Sequence, residues 1–153
     1  MKWSNSKKDH PLLALTTSSG ELHIYLLNES RLIQKTSSIE INEEKKPVVL
    51  SLDWNDRKNN NEIENSLKIS TSDSSGTISV IDVNRMEIIE SLKNHDFEAW
   101  ITIFDAWNDN VIYSGGDDCK LFMSDLRIGN KIRVSIFFYS YLPYKRAWRN
   151  KRA

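Results

Sequence analysis

Three residues in the middle of the chain have side chains that could perform acid–base chemistry. His95 and Glu98 lie three positions apart, and Asp117 follows the pair Gly115 and Gly116. A histidine has an unperturbed pKa near 6.5, which suits a general base at neutral pH, and Glu98 or Asp117 could orient it or act as the base instead. Glycines have no side chain, so their backbone N–H groups could closely approach a developing oxyanion. These residue types together would suit general-base attack on a carbonyl group.

The elements around these residues are short strands separated by turns. Three runs, at 99–104, 111–114 and 120–125, are apolar or alternate in polarity, and Asn, Asp and Gly residues stand between them. A histidine leads this unit and Asp125 closes it. Three strands between a leading His and a closing Asp are typical of one blade of a β-propeller. Trp100, within the first run, is interpreted as a core or inner-strand packing residue rather than as a platform for substrate.

The end of the unit resembles the end of a WD40 repeat, which is usually written S-G-S-x-D-G-T-V-K-L-W-D. Two positions of the segment SGGDDCKLFMSD depart from that pattern. Ser124 stands in place of the Trp, and Cys119 stands in place of the turn Gly. In that family a structural hydrogen-bond relay runs from the His to the Trp, so the resemblance implies a relay without its last member. The residues present for it are His95, Ser114 and Asp118.

The rest of the chain repeats this organisation. Trp3, Trp54 and Trp107 are spaced 51 and 53 residues apart, close to the roughly 40–45 residues of a WD40 blade with an added loop. We therefore predict an all-β chain that forms a partial WD40-type β-propeller of about three blades in an incomplete ring. The predicted units are a partial blade at 1–45, a blade at 46–94 with an Asn-rich surface loop at 55–65, a blade at 95–127 with the SGGDD motif, and a non-repeat tail at 128–153.

The tail is rich in aromatic and basic residues. No turn or closing Asp of the repeat recurs in it, and Arg133-Val134-Ser135 is what read-through of a splice-donor sequence would encode. We interpret residues 128–153 as a candidate artefact, translated intron sequence in a truncated chain.

Composition excludes several classes of function. The formal net charge is zero and there is a single cysteine. A neutral chain has no overall field that would attract nucleic acid or an anionic membrane, and one cysteine cannot form an internal disulfide. The N-terminus has no apolar run of signal-peptide length, and the longest apolar run, 136–144, is too short to cross a bilayer. These features predict a soluble cytoplasmic protein that binds neither nucleic acid nor membrane.

A more specific resemblance lies in the third unit. The segment HDFEAWI at 95–101 precedes VIYSGGDD at 111–118. This arrangement resembles the WD-repeat diphthine methylesterases of diphthamide biosynthesis, in which H-x-F-E-A-W precedes Y-S-G-G-D-D. The clear match covers residues 97–127, and a weaker one covers 1–92. The resemblance implies hydrolysis of the methyl ester of diphthine, a modified histidine of translation elongation factor 2. It implies no metal or organic cofactor, a protein substrate, and a monomer when the ring is complete.

Each catalytic assignment has a structural, non-catalytic alternative. His95 and Asp118 fall where a blade keeps its structural relay, and the two glycines could only make a tight turn. The chain could be a non-catalytic WD40 interaction scaffold, or an open stack whose sheet edges aggregate. Cys119 as a nucleophile, and a metal site of Asp117, Asp118 and His95, have no further residue to support them.

Overall fold

The structure, a computed structural model, describes residues 1–5, 11–42, 44, 46–57 and 67–128, together with the backbone of one further strand at 134–137. Within these ranges no helix is long and apolar enough to cross a bilayer. Every regular element in the described part of the chain is a β-strand. The strands are β1 Lys2–Trp3, β2 Leu12–Thr16, β3 Glu21–Leu27, β4 Ile33–Glu40, β5 Val49–Trp54, β6 Lys68–Asp73, β7 Thr77–Asp82, β8 Glu87–Lys93, β9 Ala99–Phe104, β10 Val111–Gly116, β11 Lys120–Asp125 and β12 Val134–Phe137.

The strands form three antiparallel sheets of four, each in simple sequence order: β1 to β4, β5 to β8 and β9 to β12. We call these sheets blades 1, 2 and 3. The first strand of each blade is its inner strand, and β5 packs both on the inner strand β9 and on blade 1. Three four-stranded sheets stacked face to face without closure are a partial β-propeller. The predicted all-β, partial β-propeller fold is confirmed.

The alternation of apolar side chains explains why the sheets stack. In β3, Leu22 and Ile24 are fully or almost fully buried, whereas His23 between them is half-buried. Leu22 and Ile24 pack with Trp54 and Ile69 of blade 2 in one core cluster. A second cluster joins blade 2 to blade 3 through residues such as Ile78, Val80, Phe104 and Ile112. Each blade therefore buries its apolar faces against its neighbours rather than within itself.

The same tight turn joins the second and third strands of every blade. Its critical residue has a positive φ: +84° at Gly20, +80° at Gly76 and +58° at Cys119. Only glycine adopts this region without steric cost. Cys119 therefore occupies the glycine position of the repeat, and the shared backbone geometry confirms that the three turns are equivalent.

One buried carboxylate connects all three blades. Asp53, at the end of the inner strand of blade 2, accepts hydrogen bonds from Lys2 Nζ of blade 1 and from the backbone N–H of Phe104 of blade 3, the latter at 2.8 Å. Arg57 Nη2 lies 2.9 and 3.0 Å from its two oxygens, and Arg57 Nη1 donates to the Phe104 carbonyl at 2.7 Å. The charge of Asp53 is thus fully compensated although its side chain is only 2% exposed.

The structure does not support the predicted equivalence of all three tryptophans. Trp54 pairs with Ile69, and the equivalent residue in blade 3 is Phe104, which pairs with Ile112. Trp107 lies three residues further on, in the turn after β9, and is 80% exposed. The prediction that all three tryptophans are equivalent is wrong for Trp107, because β9 ends at an aromatic residue that the spacing argument did not consider.

Two predicted segments lie largely outside the described residues. Of the Asn-rich loop, only 55–57 is described, and there Asn55 and Asp56 are buried rather than exposed. Asp56 accepts hydrogen bonds from Ser4 Oγ at 2.6 Å and from the backbone N–H of Asn5 at 2.5 Å, which explains its burial. Of the tail, the structure describes Ile128 and β12, whose backbone pairs with β11 as the fourth strand of blade 3.

Candidate functional site

The predicted site residues meet at one end of blade 3, where two short segments touch. One is the connection between β8 and β9, residues 94–98, and the other is the turn between β10 and β11, residues 117–119. The backbone N–H of Asp117 donates to the Glu98 carbonyl at 3.0 Å, and that of His95 donates to the Gly76 carbonyl of blade 2 at 3.1 Å. We call this surface the loop end. It brings His95, Glu98, Gly115, Gly116, Asp117 and Asp118 into one neighbourhood.

His95 is the buried centre of the loop end, with 1% of its surface exposed. Its Nδ1 lies 2.8 Å from Asp118 Oδ1, and its Nε2 lies 3.0 Å from Ser114 Oγ. The ring also meets Phe122 edge-on at a centroid distance of 4.9 Å. Both ring nitrogens are therefore engaged, and these are the contacts of the relay predicted through His95, Ser114 and Asp118. In this arrangement His95 has no ring nitrogen directed at solvent.

Asp118 is the charged member of this relay. Burial acts to raise the pKa of its carboxyl, but the hydrogen bond to His95 and those from the backbone N–H groups of Lys120 and Asp96 outweigh it, so the pKa lies below its ordinary value. Asp118 is therefore ionised near neutral pH, and it favours a proton on Nδ1 of His95. Nε2 is then the acceptor for the hydroxyl of Ser114.

A residue that the sequence analysis did not consider completes the relay. Asn94 Nδ2 donates to Ser124 Oγ at 3.1 Å and lies 3.5 Å from Ser114 Oγ. Ser124 stands where the repeat has a Trp, so a short amide–hydroxyl link replaces the indole. The sequence carries only part of this information. An unusual Ser at this position predicts a new partner for the Ser. The identity of that partner depends on the tertiary contact between β11 and the loop that precedes β9.

The two glycines differ in their surroundings. A Cβ on Gly116 would lie 2.6 Å from the Glu98 carbonyl oxygen and 2.8 Å from His95 Nδ1, whereas a Cβ on Gly115 would meet only Ile101 Cγ2 at 3.4 Å. Both glycines belong to β10, where they pair with β9 at a register shift. Packing therefore requires a glycine at position 116, because the His95 ring and the preceding loop lie too close for a side chain.

Two carboxylates of the predicted set remain accessible. Asp117 is exposed and accepts a hydrogen bond from Trp100 Nε1. Glu98 is half-buried, and none of the described residues hydrogen-bonds to its carboxylate. The interpretation of Trp100 as a packing residue is wrong: it is 55% exposed, because the register shift opposite Gly115 and Gly116 turns it out of the interface.

The described part of the chain contains no set of side chains suited to a metal ion. No three His, Cys, Asp or Glu side chains there are grouped so that they could hold a metal ion. Cys119 is exposed at the turn, and its Sγ lies 3.7 Å from the Asp117 carbonyl oxygen.

The fold and the loop end define a β-propeller protein with an aromatic and acidic surface beside a buried His–Ser–Asp relay. No protein-family model matches the chain. A chain of a humanized mutant of the Chaetomium thermophilum Polycomb Repressive Complex 2 has the same fold, with a TM-score of 0.66 over 82% of this chain and 27% of that one. The sequence identity is 15%, so this similarity shows the fold alone.

Curated relatives identify the family. The diphthine methyltransferase of Homo sapiens is 36% identical over 139 residues, which is 86% of this chain and 30% of the relative. The Dictyostelium discoideum homolog is 35% identical over 131 residues, 82% of this chain and 33% of the relative. That of Schizosaccharomyces pombe is 30% identical over 129 residues, 84% and 36% respectively. Over the matched residues the chain belongs to the diphthine methyltransferase family, and it spans about a third of the length of these relatives.

Proposed function

We propose that this chain acts in diphthamide biosynthesis, as part of a cytoplasmic enzyme that works on the methyl group of diphthine. The observation that carries the proposal is the 36% identity over 139 residues to a diphthine methyltransferase. The finer proposal is that the reaction is hydrolysis of the methyl ester of diphthine on elongation factor 2. It rests on the resemblance of the HDFEAWI and SGGDD segments, which meet at the loop end.

The geometry of the loop end supports different roles for the predicted catalytic residues. Glu98 and Asp117 are the accessible carboxylates, and either could take a proton from water as it attacks the ester carbonyl. The proposed oxyanion donors are the backbone N–H groups of Gly115 and Gly116. Collapse of the tetrahedral intermediate would release methanol and leave the free carboxylate. His95, engaged at both nitrogens, would act by positioning the turn through Asp118.

A non-catalytic interaction scaffold is the second candidate. The burial of His95 favours the scaffold, because one of the three predicted catalytic side chains then has a structural role. On this proposal Glu98 and Asp117 are surface charges, and the exposed Trp100 beside them contacts a protein partner.

Mass spectrometry of elongation factor 2 distinguishes the two proposals. Cells lacking the gene should accumulate the methyl-esterified form of the modified histidine, and re-expression of the full-length protein should restore the amidated form. In the full-length protein, Glu98→Gln or Asp117→Asn should leave the ester in place if that carboxylate is the base, because the amide cannot accept the proton from water. The matched control is Glu87→Gln, an exposed carboxylate on β8.

Accumulation of the ester in the deletion strain, reversed by the wild-type protein and not by a carboxylate variant, would refute the scaffold. Fully amidated histidine in the deletion strain would refute the esterase. Ester accumulation that both carboxylate variants still reverse would retain the pathway and refute the assignment of the base.

A further inference from the structure

Three buried hydroxyls lie at the junction of blades 2 and 3 without a hydrogen-bond partner among the described residues. They belong to Ser70 and Ser72 of β6 and to Thr102 of β9, which are 0%, 0% and 2% exposed. A hydroxyl that is buried without a partner costs free energy, because it loses its bonds to water and gains none in exchange. Three such groups in one place call for a partner that the surrounding side chains do not supply.

The strand registers place the three hydroxyls on two surfaces that face each other. Ser70 and Ser72 stand opposite two residues of β7 that belong to the core cluster joining blades 2 and 3. Thr102 shares a face of β9 with Phe104, which belongs to the same cluster. The backbone N–H of Thr102 donates to Ser51 Oγ at 3.5 Å, and Ser51 lies directly opposite Ser72 in the sheet. The hydroxyls therefore line one space between the two blades.

The junction of blades 1 and 2 has apolar residues at the same positions of the repeat. Ala14 is the equivalent of Ser70, because each pairs with the matching residue of the third strand of its blade. Leu52 is the equivalent of Thr102, because each precedes, with one residue between, the aromatic residue that ends its inner strand. Both Ala14 and Leu52 are buried in the core cluster of their junction. The fold thus accepts apolar residues here, and the repeat does not require the hydroxyls.

The junction of blades 2 and 3 also has smaller side chains on the inner strand. It has Phe104 where the junction of blades 1 and 2 has Trp54, and both are buried. It has Thr102 in place of Leu52. Less side-chain volume between equivalent sheets leaves room for a small molecule. A buried water molecule needs both such room and several polar partners, and this junction offers the two together.

We propose that the junction of blades 2 and 3 binds ordered water that bridges Thr102 to Ser70 and Ser72. Water suits these groups because each is a neutral hydroxyl that can both donate and accept, within a cluster that is otherwise apolar. The carboxylate of Asp53, on the same face of blade 2, is already bound by cations of blades 1 and 2, so it does not favour a metal ion at this site.

The bound water joins two networks that the protein atoms alone leave separate. Ser70 lies directly opposite Asp53 in the blade 2 sheet. Thr102 lies directly opposite Ser114, whose Oγ is 3.0 Å from His95 Nε2. The hydration site therefore lies between the carboxylate that links the blades and the relay beneath the loop end, and it extends one hydrogen-bonded path from the first to the second.

A high-resolution crystal structure of the full-length protein tests the site directly. It should show ordered water that bridges Thr102 Oγ1 to the hydroxyl of at least one of the two serines. Any other arrangement would overturn the proposal, whether the hydroxyls bond to protein atoms or lie in a dry junction.

The sign of a stability change tests the site in solution. Removing a hydroxyl that binds water should lower the urea midpoint of the full-length protein, because the water loses a partner, whereas removing an unpaired hydroxyl should raise it. Thr102→Val and Ser72→Ala should therefore each lower the midpoint. Together they should lower it by less than the sum of the two single shifts, because the two hydroxyls share the water.

The matched control is Ser38→Ala, which removes an exposed hydroxyl from β4. Its urea midpoint should equal that of the wild-type protein. An unchanged or raised midpoint in either Thr102→Val or Ser72→Ala, or shifts that add exactly in the double variant, would contradict a shared water molecule.

Discussion

The adjacent glycines of β10 give opposite predictions for the same substitution. In Gly116→Ala, the new methyl group would lie 2.6 Å from a backbone carbonyl oxygen, 2.8 Å from His95 Nδ1 and 3.0 Å from His95 Cγ. Neither partner can move easily, because the oxygen is main chain and the ring is held at both nitrogens. In Gly115→Ala the nearest atom lies at 3.4 Å, an ordinary contact with the end of the Ile101 side chain.

The magnitudes follow from two opposing terms. Alanine in a strand is favoured over glycine by roughly 0.5–1 kcal/mol, and overpacking a tight site costs about 1–3 kcal/mol. We therefore expect Gly116→Ala to lower the free energy of unfolding by ~1–2 kcal/mol and Gly115→Ala to raise it by up to ~1 kcal/mol. Neither φ is in the positive range, so backbone strain does not enter the comparison.

Urea unfolding followed by tryptophan fluorescence measures both variants, at one fixed protein concentration. Trp54, which is 1% exposed, reports the blade interface. Equal stabilities of the two alanine variants would refute the reasoning, because the only difference between the sites is what the added methyl group meets. A stable Gly116→Ala variant would also remove the packing explanation for this glycine and strengthen its proposed role as an oxyanion donor.

Three further predictions concern the same end of blade 3. Cys119→Gly should raise the free energy of unfolding by ~1 kcal/mol in thermal or urea unfolding, because it relieves a positive φ that a side chain tolerates poorly; a loss of stability would contradict this. The low pKa of Asp118 means that its contribution to stability is complete above the ordinary carboxyl pKa and is lost as the pH falls through the lower, folded-state pKa. Asp118→Asn should therefore flatten the dependence of the urea midpoint on pH below the ordinary carboxyl pKa, and an unchanged slope there would refute it. Ser124→Ala should cost about 1 kcal/mol by removing the nearer of the two hydroxyl acceptors of the buried Asn94 amide, whereas a change below ~0.5 kcal/mol would show that the link contributes nothing.

Much of the fold was accessible from the sequence because it depends on local chemistry. Period-two alternation marks strands such as β3 and β7, and the glycines at positions 20 and 76 mark turns that require a positive φ. Those signals lie within a few residues, and they sufficed to predict the all-β class and the position of the equivalent turn at Cys119.

What the sequence could not supply is the register between elements. Phe104 and Trp107 are both aromatic and lie three residues apart, so spacing alone cannot decide which of them enters the core. Likewise, the exposure of Trp100 depends on a register shift between β9 and β10, and the link from Asn94 to Ser124 spans 30 positions. The candidate site was therefore found by residue type, whereas the engagement of His95 at both nitrogens was visible only in three dimensions.

The carboxylate of Asp53 has a consequence for how the stack unfolds. In an array whose repeats touch only their neighbours, stability is a sum of intrinsic and nearest-neighbour energies, and the ends can fray independently. Here one buried charge is bound by Lys2 from blade 1 and by the Phe104 N–H from blade 3. Detaching blade 1 removes a cation from that charge and so weakens the junction of blades 2 and 3 as well. Fraying at the blade 1 end should therefore weaken the contact between blades 2 and 3, and we expect the three blades to melt as one cooperative unit.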